Sequence, residues 1–244
     1  MTQIWAHRGC RREAPENTLP AFELAIRQGA DGVEFDTQLT ADGTVVVIHD
    51  ETVDRTTDGT GPLVGFGLER LRELDASGGL AGFGGVRIPT LTEVLSLVAP
   101  TRLALNIELK NSVEPYPGME EQVLAAVAEF GLSDRVTLSS FNHYSLRRVQ
   151  ELDPRIPLGM LYTDPLYKPW RYAASLGVAA IHPPARLVLG RRYIQRCHAA
   201  GLAVRPWVVN GRRHLARMFH WGADGVFTDV PALALQQRAA ASLP

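Results

Sequence analysis

Long apolar runs are missing from this chain of 244 residues, and no stretch approaches the roughly 18 continuous apolar residues of a membrane span. Thiols are nearly missing too. Cys10 and Cys197 are too few for a disulfide framework and suit a reducing compartment. Net charge is small: 25 Lys and Arg against 26 Asp and Glu leave −1. That argues against a nucleic-acid partner, which calls for a strongly basic face. No basic-then-apolar leader precedes the first strand, which begins almost at Met1, so the expected location is cytoplasmic. Three signatures are absent as well. The first turn is not the glycine-rich turn of a dinucleotide fold. Ser139-Ser140 lacks the Gly-x-Ser-x-Gly setting of a hydrolase nucleophile. The usual His or Cys spacing of a zinc site is not evident.

What is present fills a core. Apolar residues make up 45% of the chain, and the length fits one large domain over 1–244, since α/β barrels run to about 250 residues. Strand-like and helix-like runs alternate. Strands are expected at 3–7, 33–39 with 45–49, 103–110, 136–141, 158–162, 179–182, 203–209 and 225–228. Helices are expected at 18–28, 91–98, 119–130, 144–152, 170–176, 191–200, 214–221 and 232–238. Eight such pairs close a TIM (β/α)8 barrel; an open doubly wound sheet usually has fewer strands. One segment breaks the rhythm. Residues 51–89 are glycine-rich with a single helix-like stretch near 68–74, and they follow the second strand, on the active-site face. A connection this long is expected to be a small subdomain or lid, the alternative being a mobile surface loop.

Chemistry gathers at strand ends. Ile4, Trp5 and Ala6 run into His7 and Arg8, Val33-Glu34-Phe35-Asp36 alternates, and Val45 to Ile48 run into His49. Two imidazoles can supply acid and base near neutral pH. Glu34 and Asp36 stand at i and i+2 and share a strand face, as do Glu108 and Lys110. Glu34, Asp36 and Glu108 then form an oxygen donor set for one Mg2+ or Ca2+. Arg8 and Lys110 are cations suited to phosphate oxygens, and Trp207 with Asn210 falls at another strand end. The competing reading is a structural ion network, but so many charges gathered at one barrel end without a ligand would be costly. His182 ends the sixth strand with no evident role. The pairs Arg147-Arg148, Arg191-Arg192 and Arg212-Arg213 read as solvated helix faces, and Cys10 as unreactive.

These residues stand in longer runs: His7-Arg8-Gly9, Pro15-Glu16-Asn17-Thr18, Glu34-Phe35-Asp36, Thr40-Ala41-Asp42-Gly43, Val47-Ile48-His49-Asp50 and Arg55-Thr56-Thr57. Pro89-Thr90-Leu91, Ile107-Glu108-Leu109-Lys110, Trp207-Val208-Val209-Asn210 and Thr228-Asp229-Val230-Pro231 follow. The set resembles the glycerophosphodiester phosphodiesterase family over nearly the whole chain. One departure is Val208, where the family often has Thr. The resemblance implies a TIM barrel with an insertion after the second strand and a divalent cation on Glu34, Asp36 and Glu108, with Mn2+ an alternative to Mg2+ and Ca2+. It also implies His7 and His49 as the acid/base pair. Here His7 is taken as base and His49 as acid, with Arg8 and Lys110 on the phosphate and Trp207 against the glycerol carbons. The implied reaction is hydrolysis of a small-molecule glycerophosphodiester to sn-glycerol 3-phosphate and an alcohol. The attacking oxygen is left open between water and the glycerol 2-hydroxyl, and the oligomeric state, headgroup and metal are unspecified. Two other functions compete. A lysophospholipase D-type enzyme would act on lipids, and exposed aromatics on the lid would favour it. A non-catalytic phosphate-ester binding barrel would have little use for intact histidines and carboxylates.

Overall fold

A computed structural model describes residues 1–241. The elements in order are β1 (Gln3–His7), α1 (Leu19–Gln28), β2 (Gly32–Leu39), β3 (Val45–Val47), α2 (Leu68–Leu71), α3 (Leu91–Val98), β4 (Ala104–Leu109) and α4 (Met119–Glu129). They continue as β5 (Val136–Ser140), α5 (His143–Leu152), β6 (Leu158–Leu161), α6 (Pro169–Leu176), β7 (Ala180–His182), α7 (Arg191–His198), β8 (Ala203–Val204), α8 (Arg212–Trp221), β9 (Gly225–Thr228) and α9 (Pro231–Ala241). Short polar and glycine signals set the helix ends. Pro20 lies in the first turn of α1, and Gly29 closes that helix in the left-handed conformation. Thr90 and Glu93 form a reciprocal cap at the start of α3, and the Asn142 side chain caps α5.

Eight of the strands pair in parallel in the order β8-β7-β6-β5-β4-β2-β1-β9. Backbone bonds from Asp224 N to Val204 O and from Phe227 N to Pro206 O, both 3.0 Å, bring the two ends together and close the barrel. The architecture is the (β/α)8 barrel. β2 is buried along its whole length, as a strand covered on both faces must be. Its odd positions face the helices, where Phe35 meets Phe22 of α1 edge-on at 5.6 Å. Its even positions, Glu34, Asp36 and Gln38, are polar. Burying an aromatic such as Phe35 contributes about 2–3 kcal/mol, and this outer layer anchors the charged inner one.

Two elements differ from the sequence reading. The strand expected over 203–209 is regular only at Ala203–Val204, because Pro206 has no N–H to donate. Pairing nonetheless continues through Arg205 N to Ile181 O and Trp207 N to Pro183 O, both 3.0 Å, which carries Trp207 to the mouth. The run expected over 45–49 is the short β3. It is regular only over Val45–Val47, and it pairs antiparallel with β2 beyond the Asp42-Gly43 turn.

The segment after β3 has an apolar cluster of its own. Val53, Leu63, Phe66, Leu71, Ala76 and Ile88 pack with Val46 and Ile48 from the hairpin side. Ala41 N donates to Phe66 O at 2.8 Å, tying the cluster to the β2–β3 turn. Among the described residues, no helix is long and apolar enough to cross a membrane.

Candidate active site

Register explains how residues far apart in sequence converge. His7 of β1 is level with Glu34 of β2, and Asp36 is level with Glu108 of β4. Glu34 is level with Asn106. Since in-facing residues alternate, the three carboxylates form two stacked levels at the C-terminal end of adjacent strands. They are buried, and one oxygen of each lies within 4.8 Å of the others.

The β1–α1 turn adds the first cation. Arg8 and Gly9 both have positive φ (56° and 77°), which folds the chain back so that the Arg8 N–H donates to Glu34 Oε2 at 3.0 Å. The Arg8 side chain places Nε 3.2 Å from Asp36 and donates from Nη1 to Glu16 at 2.8 Å. Asn17, also at positive φ, gives its amide N–H to Asp36 Oδ2 at 2.9 Å. Lys110 stands 3.5 Å from Glu108 and 3.4 Å from His49 Nε2.

Each histidine is backed by a carboxylate on Nδ1. His7 meets Asp229 at 2.7 Å, and Asp229 is itself held by the Asn210 amide at 2.7 Å. His49 meets Asp50 at 2.5 Å, and Asp50 accepts from Arg55, which also binds Glu16. Gln38 fixes the backbone around His49 by donating to the carbonyls of His49 and Asp50 at 2.9 and 2.8 Å. This leaves His7 Nε2 pointing toward Glu34 at 4.0 Å, while His49 Nε2 faces the Lys110 ammonium at 3.4 Å.

Electrostatics divide the carboxylates. Burial, then Asp36 and Glu108, push Glu34 well above the usual carboxylate range. Burial and Asp36 raise Glu108 to about 7. Burial also works against Asp36, but Arg8, His49 and Lys110 outweigh it and hold Asp36 low. Burial lowers both histidines, opposed at His7 by Asp229 and at His49 by Asp36. Three carboxylates thus face two fixed cations, a set that accommodates further positive charge.

His7, Arg8, Glu34, His49, Glu108 and Trp207 line one cavity of about 250 Å³, with Asn106, Phe141, Leu161, Thr163, His182 and Phe227. Asp36 and Lys110 join it through the contacts above, so eight of the nine strand-end residues singled out from sequence come together, and the ninth, Asn210, stands behind His7 on Asp229. A cavity of about 1000 Å³ at the opposite end of the barrel is lined by Thr2, Gln3, Ala203 and Asp224 and holds none of them. Sequence reasoning gave no role to Asp229, Asp50, Glu16, Asn17, Arg55 or Gln38. The strand-end rule that found His7 applies equally to Asp229 after β9, and Asp50 adjoins an imidazole. Gln38 extends the i, i+2 pattern of Glu34 and Asp36.

The profile of the "Glycerophosphoryl diester phosphodiesterase family" matches residues 7–233. A glycerophosphodiester phosphodiesterase of Caldanaerobacter subterraneus is 43% identical, with 94% of this chain and 95% of that protein covered. One from Bacillus altitudinis is 41% identical, with 98% of each covered. Among solved structures, an Oleispira antarctica phosphodiesterase in complex with the product sn-glycerol-3-phosphate superposes with a TM-score of 0.87 at 31% identity. That match covers 98% of this chain and 97% of the other. With barrel, carboxylate trio and these relatives in agreement, the chain belongs to the glycerophosphoryl diester phosphodiesterase family, a family of phosphoric diester hydrolases.

Proposed function

We propose that this chain hydrolyses a glycerophosphodiester to sn-glycerol 3-phosphate and an alcohol, with one divalent cation (Mg2+, Ca2+ or Mn2+) and the His7–His49 pair. The observation that carries this reading is the meeting of Glu34, Asp36 and Glu108 with two carboxylate-backed imidazoles around one cavity. Hard oxygen donors fit such a cation, and three buried carboxylates beside two fixed cations leave a charge for it to offset. When bound, the cation supplies positive charge to the phosphoryl oxygens.

The protein's own groups do the rest. Arg8 and Lys110 hold the non-bridging oxygens, and their charge favours the extra negative charge of the transition state. His7, kept in one tautomer by Asp229, takes a proton on Nε2 from the attacking oxygen, whether of water or of the glycerol 2-hydroxyl. His49, oriented by Asp50, protonates the departing alkoxide. Each contributes on the order of 10²- to 10⁴-fold. Trp207 and Phe141, edge-on at 5.8 Å, offer an apolar wall to the glycerol carbons. The segment 51–89, whose Arg55 binds Asp50 and Glu16 beside the cavity, is the proposed lid. Two buried free thiols suit the cytoplasm.

The test is release of sn-glycerol 3-phosphate from glycerophosphocholine by EDTA-treated enzyme before and after restoring each cation. Turnover that disappears and returns supports the reading. No turnover with any cation refutes it, and unchanged turnover in His49→Ala refutes the acid assignment. One observation favours the lipid reading. Val113, Tyr167 and Leu189 on three βα loops of the mouth, and Tyr144 in the first turn of α5, are highly exposed, although the 51–89 segment exposes only Val64 and Leu80 among large apolar residues. Faster turnover of lysophosphatidylcholine than of glycerophosphocholine would select it.

A further inference from the structure

Two polar side chains at the floor of the cavity carry atoms with no hydrogen-bond partner among the described residues. His182, at the end of β7, is fully buried, and neither ring nitrogen has a hydrogen bond among the described residues. Asn106 lies one in-facing position below Glu108 on β4. It donates from Nδ2 to Ser139 Oγ at 2.8 Å and leaves Oδ1 unpaired. Turning the amide over would only exchange an unpaired oxygen for an unpaired NH2. Buried polar groups are almost always satisfied, so two that face one cavity mark a place for a third group.

The histidine is fixed in position. A Cβ on Gly159 would stand 2.4 Å from its Cε1, so only glycine leaves room for the ring. Phe227 packs on it at 5.0 Å between centroids, and the Trp207 indole N–H donates to the His182 carbonyl at 2.7 Å. Burial, and then Arg205, keep the ring neutral, so it offers one donor and one acceptor. Glu34 and Glu108 in the same cavity disfavour an anion at this floor, and Arg205 disfavours a cation. A neutral hydroxyl fits: it donates to one atom and accepts from another.

We infer that His182 and Asn106 bind the terminal hydroxyl of the glycerol unit, the one farthest from phosphorus, and so select polyol phosphodiesters over those with a plain alkyl end. This rests on the hydrolysis proposed above. Glycerol then runs inward from the phosphate between Trp207 and Phe227, and the alcohol group faces the mouth.

The experiment compares calorimetric binding of sn-glycerol 3-phosphate with that of 2-hydroxypropyl phosphate, which lacks only the terminal hydroxyl, at fixed Mg2+. The unmodified protein is expected to prefer the glycerol compound by about 10- to 100-fold. In His182→Leu the preference should fall below about threefold, and His182→Gln, which keeps a donor and an acceptor, should restore part of it. Equal affinities in the unmodified protein, an unchanged preference in His182→Leu, or an equal loss for both ligands would overturn the inference. Should His182→Leu not fold, Asn106→Ala gives the same reading, with a preference reduced about tenfold expected and an unchanged one refuting. An unmodified protein that releases no sn-glycerol 3-phosphate from glycerophosphocholine would instead remove the proposed function. One that turns it over yet binds both probes equally removes only this subsite.

Discussion

Replacing Asp229 by Asn changes one atom and tests how His7 is oriented. Asp229 Oδ1 receives His7 Nδ1 at 2.7 Å, while Oδ2 accepts from the Asn210 amide at 2.7 Å. Asn210 is itself fixed, because its Oδ1 accepts from the Asp229 backbone N–H at 2.8 Å and from Thr228 Oγ1 at 3.1 Å. An asparagine at 229 must therefore keep its oxygen toward Asn210 and turn its NH2 toward His7. The ring then accepts at Nδ1 and carries its proton on Nε2, the wrong tautomer for a base. A charge-assisted hydrogen bond between buried groups contributes about 1.5–3 kcal/mol, and a reversed tautomer costs catalysis on the order of 10⁴-fold. The expected result is a fall in kcat of about 10³- to 10⁴-fold with little change in thermal stability. A pH signature accompanies it. Burial lowers the His7 pKa and Asp229 raises it, so removing the charge lowers it further. If His7 is the base, the acid limb of the rate profile moves to lower pH; if it is the acid, the alkaline limb does. Initial rates on glycerophosphocholine from pH 4 to 10 read both effects. A kcat within about threefold of the parent, or a loss with both limbs unmoved, refutes the orientation argument.

Three further outcomes are expected. Glu108→Gln should weaken divalent-cation binding at least about tenfold by calorimetry while raising the melting temperature in EDTA, since it removes a buried carboxylate crowded by Asp36; a lowered melting temperature would contradict it. Gly9→Ala should destabilise by roughly 2–4 kcal/mol in urea titrations, because φ is +77° and the new Cβ would stand 2.7 Å from the Ala21 backbone; an unchanged midpoint would argue against that turn. Asp50 is opposed by burial but held down to about 2 by Arg55 and His49. A depressed folded pKa stabilises above the unfolded value and is lost as pH falls through the folded one, so Asp50→Asn should flatten acid destabilisation between about pH 4 and 2. The effect is about 1 kcal/mol or less after solvent screening, and identical acid titrations in both proteins would count against it.

The barrel and its charged mouth were legible because both are written as periodicities. Apolar runs of strand length alternate with helical ones, and ionisable residues at i and i+2 announce an in-facing pair. What stayed hidden depends on the third dimension. Gln38 reads as an unremarkable polar residue until the hairpin returns β3 beside β2 and brings the carbonyls of 49 and 50 within its reach. Glu16 and Arg55 are separated by 39 positions and form their bidentate pair only because the 51–89 segment folds against the β1–α1 turn. That segment was legible as unusual in length and glycine content. Its packed cluster was not, because Val53, Leu63 and Ile88 follow no single period. His182 showed the opposite failure: its position at a strand end was read, but only the unpaired ring nitrogens set it apart from an ordinary core histidine.

The pairing of Asp36 with Glu108 across β2 and β4 bears on which changes of chain length this protein can accept. Deleting Phe35 would bring Asp36 into the out-facing position, setting a carboxylate against Phe22 and leaving Glu108 opposite Thr37, with no carboxylate to share a cation. An insertion at the same place does the reverse damage. Around Gly78 and Gly79, where the chain is exposed and lines no part of the cavity, a residue gained or lost displaces no functional side chain. Length variation is therefore confined by the geometry of the pleat: the inner strands admit none, and loop grafts or tags belong in the outer glycine-rich turns.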